Sequence, residues 1–218
     1  MNATPPADEA AAVAPFHAVD RPLGHFDNRE LSTLALLAAL HFAASFASNV
    51  SGSLVAALVG PAHVFVSGLT GEGLPSLLLA TAVVLVPKVG AATYSIAVVW
   101  LLNAVVTGTF SLVSTAMVAV SIVVHELLLG LLGVTLESPW RRPTATLRRS
   151  DVVRTAAAVG LANGAALYAQ FAVSMYFYDF RFDAWYVHAV ALVTGVGYGS
   201  PGAAVGAAWG FQLRKTSP

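Results

Sequence analysis

The 218-residue chain contains no cysteine. That excludes disulfides, thiolate catalysis and thiolate metal sites. Charge is nearly as scarce: 10% of residues are Asp, Glu, Lys or Arg, and the net charge is zero. Soluble domains carry about 25% charged residues, and a nucleic-acid partner calls for a basic excess. No Walker A pattern occurs, so nucleotide hydrolysis by that route is excluded. Residues 1–28 are Ala-, Pro- and acid-rich and lack the basic n-region and short apolar core of a signal peptide. They are expected to be a disordered cytoplasmic tail. What the chain does have is apolar surface, 57% of its residues being hydrophobic, which puts it in the membrane class.

A spanning helix needs about 20 mostly apolar residues. Six candidates follow, all within one domain from residue 29 to 218: Leu31–Val50, His63–Val86, Ala91–Thr107, Leu112–Leu136, Val152–Met175 and Trp185–Gln212. The second is interrupted by Gly71-Glu72-Gly73 and Pro75. With six spans, Arg21, Arg29, Lys88, Arg141, Arg142, Arg148, Arg149, Arg154, Arg214 and Lys215 fall on one side, and Arg181 alone falls on the other. Basic loops mark the cytoplasmic side. The expected fold is an all-α integral membrane protein, six transmembrane helices in one bundle with cytoplasmic N and C termini.

Two stripes of small residues stand out. Span one carries Ala35, Ala39, Ala43 and Ala47, and span six carries Gly195, Gly199, Gly202, Gly206 and Gly210. Such spacing lets helix backbones approach closely in lipid. The first stripe fits either internal packing or a partner subunit. The GYGSPG match in span six is spurious as a nucleotide fingerprint, because no strand precedes it; close helix contact accounts for it better.

Ionisable groups inside spans are the functional candidates. Glu126 shares a helical face with Ser111, Thr115, Ala119, Ile122, Gly130 and Gly133, a face turned toward other helices or a cavity. It either contacts a ligand or, protonated, bonds another helix. His125 lies on a greasier face and is read as structural. The HELLL run lacks the second His of a zinc-protease motif, since Leu129 stands there. Nearer the external side come His63, Glu72, Trp100, Asn103, Gln170, Tyr176, Trp185 and His188. With Glu126 they form the candidate substrate-binding set, suited to a small, flat, partly polar or cationic molecule. The aromatic run MYFYDFRFDAWY between spans five and six is either an interfacial belt or a lid over such a pocket.

On these marks the chain resembles the substrate-binding membrane subunit, or S component, of an energy-coupling-factor (ECF) ABC transporter, over about Arg29 to Lys215. The resemblance rests on size, six spans with both ends inside, and the Ala35, Ala39, Ala43 stripe, which in that family meets the coupling helices of the transmembrane T subunit. Within the family it is most similar to the YkoE-like branch, linked to thiamine or its hydroxymethylpyrimidine precursor, through Gly60-Pro61, Pro87-Lys88, Gly90-Ala91 and a carboxylate at Glu126. The Met-His start of cobalt and nickel members is absent. The resemblance implies a non-enzymatic subunit without cofactors that captures its substrate outside. Toppling, driven by two ATPases on the T subunit, then delivers it inward. Two other classes compete. A small secondary transporter or channel would need an ion relay or inverted repeats. An integral-membrane enzyme would need Asp-rich or paired-His motifs, which the basic loop SPWRRPTATLRRS does not supply.

Overall fold

The computed structural model describes residues 25–59, 69–141, 148–179 and 185–216, with the side chains of 48–59, 69–70, 141, 185–188, 190–191 and 216 left out of the description. All regular structure among them is helical: α1 (Asn28–Val59), a π-helical turn (Leu69–Gly73), α2 (Leu74–Leu85), α3 (Ala91–Thr107), α4 (Leu112–Leu131), a 3-10 turn (Pro139–Arg141), α5 (Arg149–Tyr178) and α6 (Trp185–Thr216).

Each helix end has a local cause. At the start of α1 the Glu30 amide donates to Asp27 Oδ1 (2.7 Å) and the Asp27 amide donates back to Glu30 Oε2 (2.9 Å). This capping box satisfies two orphan donors reciprocally. Lys88 then donates to the same Glu30 oxygen at 2.7 Å and to the His25 carbonyl at 3.1 Å, tying the head of α1 to the loop after α2. Residues 25–28, assigned above to the tail, thus belong to the packed body, and residues 1–24 lie outside the described residues. Gly90 enters α3 at φ 96°, with the Phe26 ring where a side chain would project; only glycine meets both conditions cheaply. Ser111 caps α4 by accepting from the Ser114 amide at 3.0 Å.

The expected α3 matches in both bounds. Helix α1 runs on through Gly52 to Val59, and α5 and α6 are each several residues longer than expected. Helix α4 is shorter, stopping at Leu131, because Gly133 turns left-handed (φ 66°) and the Val134 amide folds back on the Leu129 carbonyl at 2.8 Å. The second expected span is described only from residue 69, as the π turn followed by α2, with Pro75 in the first turn of α2 where its missing N–H costs nothing.

The helices contact one another around a closed ring, in the order α1, α3, α4, α5, α6, α2 and back to α1. The most extensive contacts are those of α6 with α5 and α2, and its glycines explain them. A Cβ at Gly202 would overlap the Gly73 carbonyl oxygen, one at Gly206 that of Leu77, and one at Gly195 the backbone of Gly164. Thr81, fully buried, donates to the Leu77 carbonyl (2.8 Å) and lies 3.1 Å from the Gly206 carbonyl oxygen across this seam. The span-six stripe is therefore spent on contacts inside the chain. The span-one stripe is not: Ala35 is half-buried, while Ala39 and Ala43 are exposed beside Leu36 (62% exposed) and Leu40 (46%). The face of α1 that packs inward is Glu30, Leu34, Leu37 and Ala38.

Three helical segments among the described residues are long and apolar enough to cross a membrane: Asn28–Ala47, Leu112–Leu131 and Arg149–Tyr178. The apolar segments Gly71–Leu85 and Ala91–Thr107 are shorter. The starts of α1, α3 and α5 lie at one end of the ring with the ends of α2, α4 and α6. This basic end is stitched by Lys88–Glu30, by Arg154 Nε donating to the Leu132 carbonyl (2.5 Å), and by buried Trp140, whose indole donates to Thr155 (3.1 Å) and packs on Phe211.

If the α6 seam sets the helix spacing, Gly206→Ala should destabilise the purified protein by about 1–3 kcal/mol, the usual cost of overpacking. Gly197→Ala on the same helix, where an added Cβ meets nothing within 4 Å, should cost nothing measurable. Thermal unfolding in detergent checks both; equal losses would put the spacing elsewhere.

A polar cavity at the end of the ring away from the basic loops

A cavity of about 290 Å³ opens between α1, α2, α3, α4 and α5. It reaches from the middle of the bundle toward the end opposite Lys88 and Arg148: its walls come from the start of α2 and from residues 96–103 of α3, 118–125 of α4 and 163–170 of α5. Its size falls at the small end of the range for small-molecule sites, about 300–1,000 Å³, which suits a vitamin-sized solute or fragment and not a peptide.

Four of the residues expected to bind substrate meet there: Glu72, Trp100, Asn103 and Gln170. Glu72 is presented by the π turn between Gly71 and Gly73, and no donor among the described residues contacts its carboxylate. Trp100 and Asn103 are one turn apart on α3 and so share its inward face. Asn103 Nδ2 donates to the Val99 carbonyl at 3.1 Å. Trp100 stacks edge-on against Phe110, ring centres 6.0 Å apart. Leu79, Ile96, Val99, Val118 and Leu167 make up the apolar wall.

Four further polar residues line the cavity outside the expected binding set: His41, Ser121, His125 and Asn163. His41 continues the inward stripe of Glu30, Leu34 and Leu37, directly opposite the alanines that drew attention on that helix. Asn163 sits between Gly160 and Gly164 and one face-repeat before Gln170, a spacing that could have flagged it. His125 had been read as structural, and its bonds are to protein. Its Nδ1 lies 2.8 Å from the Ser121 carbonyl oxygen and its Nε2 2.7 Å from Asn163 Oδ1. The Asn163 amide donates in turn to Ser76 Oγ, and the Ser76 hydroxyl donates to the Glu72 carbonyl at 2.5 Å. A continuous hydrogen-bonded chain thus crosses α4, α5 and α2 and ends on the turn that carries Glu72.

The structure separates Glu126 from this group. Its Oε1 accepts from the Gly90 amide (3.1 Å), the Thr93 amide (2.9 Å) and the Thr93 hydroxyl (2.9 Å). A carboxylate at the start of α3 satisfies orphan N–H groups and meets the positive end of the helix dipole. The polar stripe on α4 did turn Glu126 toward a neighbouring helix, but the partner is backbone at the basic end, and Glu126 does not line the cavity. Tyr176 does not line it either, being 83% exposed. His63 lies outside the described residues, as do the side chains of Trp185 and His188. Of the aromatic run, Tyr176, Phe177 and Tyr178 are exposed, and residues 180–184 are outside the description, so neither belt nor lid is decided.

Among the described residues no cluster of three His, Asp or Glu side chains is arranged to hold a metal. Comparison with protein-family models, with curated proteins and with solved structures found no match to this chain.

Removing the Glu126 carboxylate as Glu126→Leu should cost about 1–3 kcal/mol of stability, the penalty of buried donors left unsatisfied. Unfolding of the detergent-solubilised variant measures it. A variant as stable as the parent would mean that the α3 terminus is satisfied some other way.

Proposed function

We propose that this protein is a multi-pass subunit of the cell membrane that captures a small organic solute, of the kind the resemblance implies: the S component of an ECF-type importer. Six crossings with both termini in the cytoplasm agree with the ring of six helices and with basic residues collected at one end, which the positive-inside rule assigns to the cytosol. The cavity then runs from the middle of the bilayer, at Ser121 and His125, toward the outer side, from which a scavenged nutrient arrives. The observation that carries the reading is the Glu72 carboxylate standing without a partner among the described residues in a small cavity walled by Trp100, Asn103 and Gln170. A carboxylate in a membrane interior is costly and is by default a functional group. With an indole for stacking and amides for ring nitrogens, it suits a flat heteroaromatic cation. Thiamine or its hydroxymethylpyrimidine precursor is the solute we assign.

Transport itself would come from partners. The alanine face of α1, half-buried at Ala35 and exposed at Ala39 and Ala43, would offer a track for the T subunit, which carries two ATPases. The chain itself would hydrolyse nothing and need no cofactor. A second reading, a small secondary transporter or channel, draws on the His125–Asn163–Ser76 chain, since hydrogen-bonded chains conduct protons. Uptake abolished by a protonophore while ATP is maintained would favour it.

Calorimetric titration of the purified protein with thiamine and with hydroxymethylpyrimidine tests the proposal. Saturable binding of either is expected, with Glu72→Gln weakening the thiamine cation about tenfold or more, a charged hydrogen bond's contribution. Glu126→Gln should leave affinity unchanged. No binding by either compound would overturn the vitamin assignment, and parent-like affinity in Glu72→Gln would overturn the role of the carboxylate.

A further inference from the structure

The cavity is long, and its polar groups gather at its two ends. Its lining runs from Ile96 to Asn103 on α3, from Val118 to His125 on α4 and from Asn163 to Gln170 on α5. Each of these stretches is two helical turns, so the cavity extends about 10 Å along the bundle. The end away from the basic loops carries the Glu72 carboxylate with Asn103 and Gln170, and the deep end carries His125 and Asn163. Between them Val99, Trp100 and Leu167 form a collar of apolar and aromatic surface.

His41 of α1 joins the deep end, close enough to His125 for the two rings to interact electrostatically. Its neighbours there are already engaged. Both ring nitrogens of His125 lie within bonding distance of protein oxygens, whichever tautomer is present, and Asn163 bonds Ser76 as well. The ring of His41 has no hydrogen-bond partner among the described residues. A neutral imidazole offers one donor and one acceptor in either tautomer. Polar groups withdrawn from water are as a rule paired, so this ring and the Glu72 carboxylate are the two groups in the cavity that call for a partner from outside the chain.

We infer that His41 is a second recognition point, and that the cavity selects elongated organic cations bearing a hydroxyl, amino or ring-nitrogen group at the end remote from the charge. The charge docks at Glu72, the body of the solute passes the collar of Val99, Trp100 and Leu167, and the far group meets the His41 ring. The inference rests on the solute-binding reading above and narrows it by shape. A solute without the far group leaves the imidazole desolvated and unpaired, which discriminates more strongly than a missing methylene does. A solute too short leaves either Glu72 or His41 unmet. Thiamine, a charged ring joined to an aminopyrimidine, has both ends; hydroxymethylpyrimidine has no charged ring and reaches one of them.

Trimethylammonium alkanols of increasing chain length test this, each titrated into the purified full-length protein beside the alkyl-trimethylammonium of the same length without the hydroxyl. All titrations are run at one pH above the ordinary imidazole range, so that no change of protonation enters the comparison. The alkanol should bind about tenfold more tightly than its alkyl counterpart, the worth of a hydrogen bond to a buried group. That preference should appear only once the chain lets the hydroxyl reach about 10 Å from the ammonium, the two-turn length of the cavity. In His41→Leu the preference should vanish while the alkyl cations still bind, and His41→Gln, which keeps a donor and an acceptor, should restore part of it. His41→Phe serves the same purpose if the leucine variant does not fold. A hydroxyl preference that is absent, equal at every length, or retained in the folded leucine or phenylalanine variant overturns the inference and leaves the solute-binding reading intact. Failure of every cation to bind the parent protein overturns that reading and the inference with it.

Discussion

The close approach of α6 to α2 and α5 is the constraint from which the rest follows. Backbone meets backbone at Gly202, Gly206 and Gly195 because no side chain stands between them. Only at that spacing can Ser76 and Asn163, on different helices, share a hydrogen bond above Gly199. In lipid there is no hydrophobic drive to push helices together, so packing and buried polar bonds must supply it. The glycine seam does the first and makes room for the second.

Toward the basic end the ionisable groups bind chiefly to helix ends: Glu30 to Lys88 and the α1 cap, Glu126 through Oε1 to the α3 amides, Arg154 to a carbonyl of the α4 terminus. Those contacts fix where helices begin and stop. In the cavity the Glu72 carboxylate and the His41 ring have no hydrogen-bond partner among the described residues. Glu72 and Glu126, alike in sequence as acids within apolar helices, thus have different settings, one in a cavity and one at a helix terminus.

That division marks how far sequence reasoning could go. Helical class and the bounds of α3 were legible because apolar runs end at glycines, and the internal use of the α6 glycines followed from their spacing. Glu72, Trp100, Asn103 and Gln170 were legible as polar residues sharing one side of an inferred topology. Glu126 was not, since a periodic stripe says that a side chain faces a helix without saying whether it meets a helix terminus or a hole. His41 was hidden by the more conspicuous alanines across the same helix. Asn163 gained its meaning only from two neighbours far away in the chain. The end of α4 was misjudged because apolar residues continue past Gly133 after the helix has turned.

The central claim is that the cavity containing Glu72 takes up a solute from the side opposite the basic loops. Because the natural chain has no cysteine, a single Gln170→Cys introduces the only thiol. Intact cells exposed to a membrane-impermeant thiol reagent should label it, and thiamine added beforehand should slow the labelling. Labelling confined to inverted membranes, or reaction unaffected by solute, would contradict the account.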